Sequence, residues 1–103
     1  MKTRTRTELQ DLLEEILGSS NVYFQPPENL KLRYPCIVYS RNTFASVFAN
    51  NDSYLRRTRY SVTLIDKNPD SPYVEPIADI PYCAHTRNFI ADNLNHDVFD
   101  LYW

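Results

Sequence analysis

The sequence predicts an α+β domain: an N-terminal helix and a second short helix packed on a mainly antiparallel sheet of about four to five strands. Three observations carry that expectation. Leu9, Leu12, Leu13, Ile16 and Leu17 recur at the spacing of one helix face. Tyr60, Val62 and Leu64 alternate with Arg59, Ser61 and Thr63, the period of a strand with one buried and one wet face. Clusters such as Asn50-Asn51-Asp52-Ser53 and Asn68-Pro69-Asp70 punctuate the apolar segments, as turns do.

Residues 1–6 alternate Lys2, Arg4 and Arg6 with Thr and read as a flexible basic arm, since cations oppose the dipole at a helix start. Thr7-Glu8-Leu9-Gln10 matches a capping box, with Thr7 as N-cap and Gln10 reaching back. Gly18, the one glycine of the sequence, stands where a left-handed C-terminal residue is wanted. Val22-Tyr23-Phe24 suits a short edge strand stopped by Pro26-Pro27. Cys36-Ile37-Val38-Tyr39-Ser40 is a β-branched and aromatic strand, preceded by a Tyr34-Pro35 bond expected to be trans.

Residues 42–55 read as a long loop or hairpin leading to the strand centred on Val62. A connection of that length in a small domain carries function or moves. Its Phe44, Val47, Phe48 and Tyr54 are costly to leave in water, so it is expected to dock on another chain. Ser71 offers an N-cap and Pro72 a first position for a short helix over 72–80. A strand over 82–90, a turn over 91–95 and a last strand over 96–103 complete the reading. The closing Phe99-Asp100-Leu101-Tyr102-Trp103 is too apolar to fray and is expected in a sheet or an interface.

The 103 residues form a single domain with a modest core. Eight Tyr among 14% aromatics suit strands and wet interfaces. A net charge of −2 is too small to make nucleic acid or an anionic membrane the main partner. Its distribution is uneven: residues 1–60 carry nine Lys or Arg against six acids, and 61–103 carry two against seven. Net charges of +3 and −5 suit either opposite faces that favour head-to-tail self-association or a surface with unevenly spread salt bridges. Without an apolar run of bilayer length, and with a basic start leading into an amphipathic helix, the chain is expected to stay in the cytoplasm of the cell that makes it. Cys36 and Cys83 then read as reduced, buried thiols.

Catalytic and metal chemistry find little footing. Cys36, Cys83, His85, His96, Asp92 and Asp97 are the available metal ligands, yet none has ligand spacing, and no cofactor is expected. Cys83 and His85 share a strand face but lack a third orienting group and the glycines of an oxyanion hole. Asp66, Asp70, Asp92 and Asp97 resemble a magnesium nuclease set only in number, since Asp in turns is structural. Arg56, Arg57 and Arg59 make a short basic stripe able to face nucleic acid.

The strings Tyr34-Pro35-Cys36-Ile37-Val38-Tyr39-Ser40, 59–71 and 91–103 resemble the tail completion proteins of long-tailed bacteriophages, also called tail terminators or tail-to-head joining proteins. The resemblance covers most of the chain from Tyr34 onward and contains no catalytic motif. It implies a virion structural protein that forms a homohexameric ring, caps the tail tube and joins it to the head-closure and neck proteins. Phe44, Val47, Phe48, Tyr54, Tyr102 and Trp103 are then the interface candidates. Arg56, Arg57 and Arg59 would line the lumen where DNA passes. A head-closure or other neck component of the same virion is the alternative. A small nucleic-acid-binding protein or nuclease is the reading from another class.

Overall fold

A computed structural model describes the backbone of residues 5–49 and 53–103, and the side chains of 5–42 and 58–103. The order is α1 (Arg6–Leu17), β1 (Val22–Phe24), β2 (Cys36–Ala49), β3 (Ser53–Asp66), α2 (Val74–Ala78), β4 (Cys83–Ala91) and β5 (Leu94–Tyr102). The five strands form one mixed sheet in the order β1-β2-β3-β5-β4, so β3 is central and β1 and β4 are its edges. Only β1 runs parallel to its neighbour; the other ladders are antiparallel. The expected α+β class holds, with two helices on one sheet. Among the described residues, no helix is long and apolar enough to cross a membrane.

Helix α1 starts two residues earlier than the sequence suggests. Thr5 is the N-cap: its Oγ1 accepts from the Glu8 N–H at 3.2 Å, while the Glu8 carboxylate accepts from the Thr5 N–H at 3.5 Å. The box therefore closes on Thr5 and Glu8 in place of Thr7 and Gln10, and Arg6 belongs to the helix, not to an arm. The reason lies in what Gln10 does instead. Its amide N–H groups go to Glu14 (2.8 Å) and the Val22 carbonyl (3.0 Å), and its oxygen accepts from the Tyr39 hydroxyl at 2.5 Å. Those bonds use all three of its polar sites and tie helix to sheet. Arg6 donates to the same hydroxyl at 3.1 Å and lies 4.6 Å over the Phe24 ring. At the far end, Gly18 takes φ 73° and donates to the Glu14 carbonyl at 2.8 Å, as its placement in the sequence suggests.

The apolar stripe of α1 covers one sheet face. Leu9, Leu13 and Leu17 are buried, with Leu12 and Ile16 at their flank, against Ile37, Tyr39, Tyr60, Val62, Leu64, Phe99 and Leu101. Alternation in β3 therefore reads correctly: Tyr60, Val62 and Leu64 all point under the helices. Trp103 closes this core at 6% exposure. On the opposite face, Leu32 from the β1–β2 connection packs on a smaller cluster of Cys36, Ile65 and Leu94.

Three local expectations are corrected. The helix expected over 72–80 is only Val74–Ala78, capped by Tyr73, with Pro72 outside it. A run of side-chain turns displaces its start: Asp66 accepts from the Asn68 N–H, Asn68 from Asp70, and Ser71 from Tyr73. Pro76 then falls at the third helical position, where a missing N–H breaks no bond. The Tyr34–Pro35 bond is cis, not trans. The turn expected over 91–95 contracts to Asp92-Asn93, both left-handed at φ 53° and 63°, which is the two-residue hairpin geometry.

Strands β2 and β3 are 14-residue strands paired antiparallel, so the described part of 42–55 is ladder, as the hairpin reading expects; residues 50–52 lie outside the described residues. A register shift at Asn42 separates the inner and outer parts of this ladder. From Ala45↔Arg57 outward to Ala49↔Ser53, β2 and β3 pair with each other and with no third strand among the described residues. Those five rungs extend about 17 Å beyond the sheet body. They account for the elongated shape of 48 × 23 × 23 Å.

Candidate interaction surfaces

The residues named above for chemistry are separated by the sheet. Register places Cys36 beside Ile65 and His96, on the face away from the helices, while Cys83 and His85 lie opposite Leu101 and Phe99 on the helix-covered face. The six-residue ligand set therefore does not converge. Among the described residues, no group of three or more His, Cys, Asp or Glu is placed to hold a metal ion. Burial pushes the Cys36 thiol up to about 12 and, next, Asp66 adds to it. Burial and then Asp100 push Cys83 up to about 11. Neither is a thiolate at neutral pH, so neither is an activated nucleophile.

His85 is engaged elsewhere. Its Nε2 lies 3.0 Å from Oδ1 of Asp97, and Asn88 Nδ2 donates to the same oxygen at 2.9 Å. A β-bulge makes this possible. Thr86 is the extra residue between His85↔Phe99 and Arg87↔Val98, and its hydroxyl donates to the Val98 carbonyl at 3.0 Å. Without it, His85 and Asn88, three apart, would project from opposite faces. With it, both meet Asp97, which is buried at 8% exposure. His85 also stands edge-on to Phe99, 5.2 Å between centroids. This trio ties the edge strand β4 to β5. The neighbouring basin of about 590 Å³, lined by residues that include Asp70, Ser71, Glu75 and Asp97, is open to solvent.

Of the basic stripe, Arg59 is described. Its guanidinium donates to Asp100 at 2.6 Å on the adjacent strand and lies 5.9 Å over the Tyr102 ring. Asp100 holds Arg59 firmly charged, first through that hydrogen bond. A phosphate contact by Arg59 would have to compete with this short charge-assisted bond. The side chains of Arg56 and Arg57 lie outside the described residues, as do those of Phe44, Val47, Phe48 and Tyr54.

The remaining interface candidates divide. Tyr102 is half-buried beside Arg59. Trp103 is turned inward: its indole N–H donates to the Thr5 carbonyl at 2.8 Å, and its backbone N–H to Thr58 at 2.9 Å. The apolar end is therefore tied into its own sheet and helix.

Two surfaces escape the sequence reading. One is an open apolar groove of about 380 Å³ on the face away from the helices, between Pro26, Leu30 and Leu32 of the β1–β2 connection and Val38, Ile65 and Phe89 of the sheet. Its only forewarning is the alternation of Leu30 and Leu32 within a proline-bearing connector. The other is the outer edge of β4, bracketed by Tyr82 at 61% and Ile90 at 70% exposure. No protein-family model matches this chain, and no curated protein matches it in sequence.

Proposed function

We propose that this chain is a structural subunit of a long-tailed bacteriophage virion: a tail terminator that assembles into a hexameric ring, caps the tail tube and joins it to the neck. The observation that carries the reading is the β2–β3 ribbon. Two strands alone are at best marginally stable in water. Here the outer rungs lean on no third strand among the described residues, yet the chain commits the outer five paired residues of each 14-residue strand to them. Such an element belongs to a protein completed by neighbours. A ribbon at one place and a receiving surface at another make a heterologous contact, which builds rings where the rotation closes. The pairing of His85 with Asp97 and of Arg59 with Asp100 fits a scaffold role, since these charged and polar side chains are held by neighbours within the chain. As a tail component it would be made in the bacterial cytoplasm and reside in the virion.

Purified chain is mixed with tail tubes, and the particles made without it are imaged. Retention of the chain at one tube end, with full heads and overlong or unjoined tails in its absence, is the expected result. DNA-poor, leaking heads would assign it to head closure. No retention together with normal, joined tails would reject the reading.

A further inference from the structure

We infer that the β2–β3 ribbon of one copy adds to the free edge of β4 in the next copy, extending the sheet across the subunit boundary. The inference rests on the ring reading and names the contact that would build the ring. Strand β4 is a sheet edge nine residues long, paired on one side with β5 and on the other with no strand among the described residues. An open edge offers unpaired N–H and C=O groups to an incoming strand. The ribbon is the complementary element, since the outer edges of its outer rungs likewise pair with no strand among the described residues.

Three further observations select this edge for the ribbon. First, the two most exposed large apolar residues of the described chain, Ile90 and Tyr82, lie at the two ends of β4. Second, the charges are complementary. Helix α2 packs beside β4, and the exposed acids Asp70, Glu75, Asp79 and Asp92 stand around this flank against Lys67 and Arg87. The ribbon and its base contribute Arg41, Arg56 and Arg57. Opposite charge steers the encounter and sets its orientation. Third, the ribbon leaves the body at the far side of β3, from which its own β4 is separated by β5. Extended strands running away from the body cannot return to their own sheet edge, so the contact lies between copies.

The Thr86 bulge refines the site. Bulges guard edges against indiscriminate pairing by twisting them. Here the bulge divides β4 into Cys83–His85 and a regular stretch from Arg87 to Ala91. The five residues of that stretch match the five outer rungs of the ribbon, and Ile90 lies within it.

The test is interchain crosslinking with a short thiol-reactive bridge in a Cys83→Ser background. Chains carrying Ile90→Cys are mixed with chains carrying Ser46→Cys in β2, at high concentration and again on tail-tube ends. Glu15→Cys, exposed on α1, replaces Ile90→Cys as the control. Mixed dimers are expected about tenfold above the control, the factor that corresponds to about 1.4 kcal/mol of preferred contact. Chains carrying Arg87→Cys, exposed on the same stretch, should show the same excess with Ser46→Cys, and adding Ile90→Lys to them should remove it, because it replaces an apolar residue by a cation where the incoming ribbon brings Arg56 and Arg57. Circular dichroism verifies that each variant is folded. Mixed dimers no more frequent than the control in both conditions would overturn the contact, even where the chain binds tubes. Excess dimers from a chain that ignores tail tubes would support the contact and reject the tail assignment.

Discussion

Replacing Trp103 by Ala should remove a large part of the stability of this domain, although the residue closes the sequence as given and invites assignment to an interface. The side chain is 6% exposed and belongs to the main core with Leu9, Leu13, Tyr60 and Leu101. Truncating a buried Trp to Ala costs about 3–5 kcal/mol. The indole N–H also bonds at 2.8 Å to the carbonyl of Thr5, the N-cap of α1, and its loss adds about 1 kcal/mol. A domain of this size is stable by about 5–15 kcal/mol, so Trp103→Ala should leave little margin. Trp103→Phe separates the two contributions: the ring largely stays, the donor goes, and the loss should be about 1–2 kcal/mol. Urea unfolding followed by far-UV circular dichroism measures both, because the signal survives removal of the one tryptophan. A loss below about 1 kcal/mol for Trp103→Ala, the scale of an exposed site, would refute the inward placement and return the residue to the surface.

Two further outcomes follow from the interior and from a turn. Burial raises Cys36 from 9.0 to about 12, so the folded protein keeps this proton where the unfolded chain releases it. Its contribution is complete below pH 9 and declines as pH rises toward 12, with a slope of about 1.4 kcal/mol per unit. Between pH 9 and pH 10 the wild type should lose about 1 kcal/mol more than Cys36→Ala in paired urea titrations, and equal losses would contradict the burial. Asn93 sits at φ 63° in the two-residue turn between β4 and β5. Asn93→Val should cost about 1–2 kcal/mol because a β-branched residue resists that conformation, whereas Asn93→Gly should leave the thermal midpoint unchanged or higher.

The parts of this fold legible in the sequence are those where a local period meets a single demand. Helix α1 and strand β3 each bury one face, so the leucine stripe and the Tyr60, Val62, Leu64 alternation announce them. Gly18 is legible because few other residues tolerate its φ of 73°. Misreadings occur where two local solutions are nearly equal and a distant contact decides. Thr5-Glu8 and Thr7-Gln10 both satisfy the capping pattern; the choice is made by Tyr39, 29 residues from Gln10, which takes the glutamine away. Pro72 suits a helix start, but bonds from Asp66, Asn68 and Ser71 carry the chain past it. Interaction surfaces were harder still. The β4 edge depends on strand order, and the Leu30–Leu32 groove depends on which sheet face the connector crosses; neither has a local pattern.

Strand length gives the clearest physical reason to regard this chain as one part of an assembly. The core needs β3 only from about Thr58 to Asp66, because that is the span facing β5 and the helices. Ordering the outer rungs costs about 1–2 kcal/mol per residue in backbone entropy, and cross-strand pairs return about 0.2–1 kcal/mol each. With no third strand beside them among the described residues, the outer rungs add little to the stability of the lone domain. An added edge strand supplies what is missing: a third row of backbone bonds, and apolar surface at Ile90 against which a ribbon can lie. The same reasoning explains why the edge is only partly blunted. A bulge at Thr86 discourages a flat strand from pairing along all of β4, while the regular stretch from Arg87 to Ala91 keeps its ladder geometry. Under the proposed contact, selective openness at one edge and a two-stranded ribbon at another place would be complementary halves of a repeating interface.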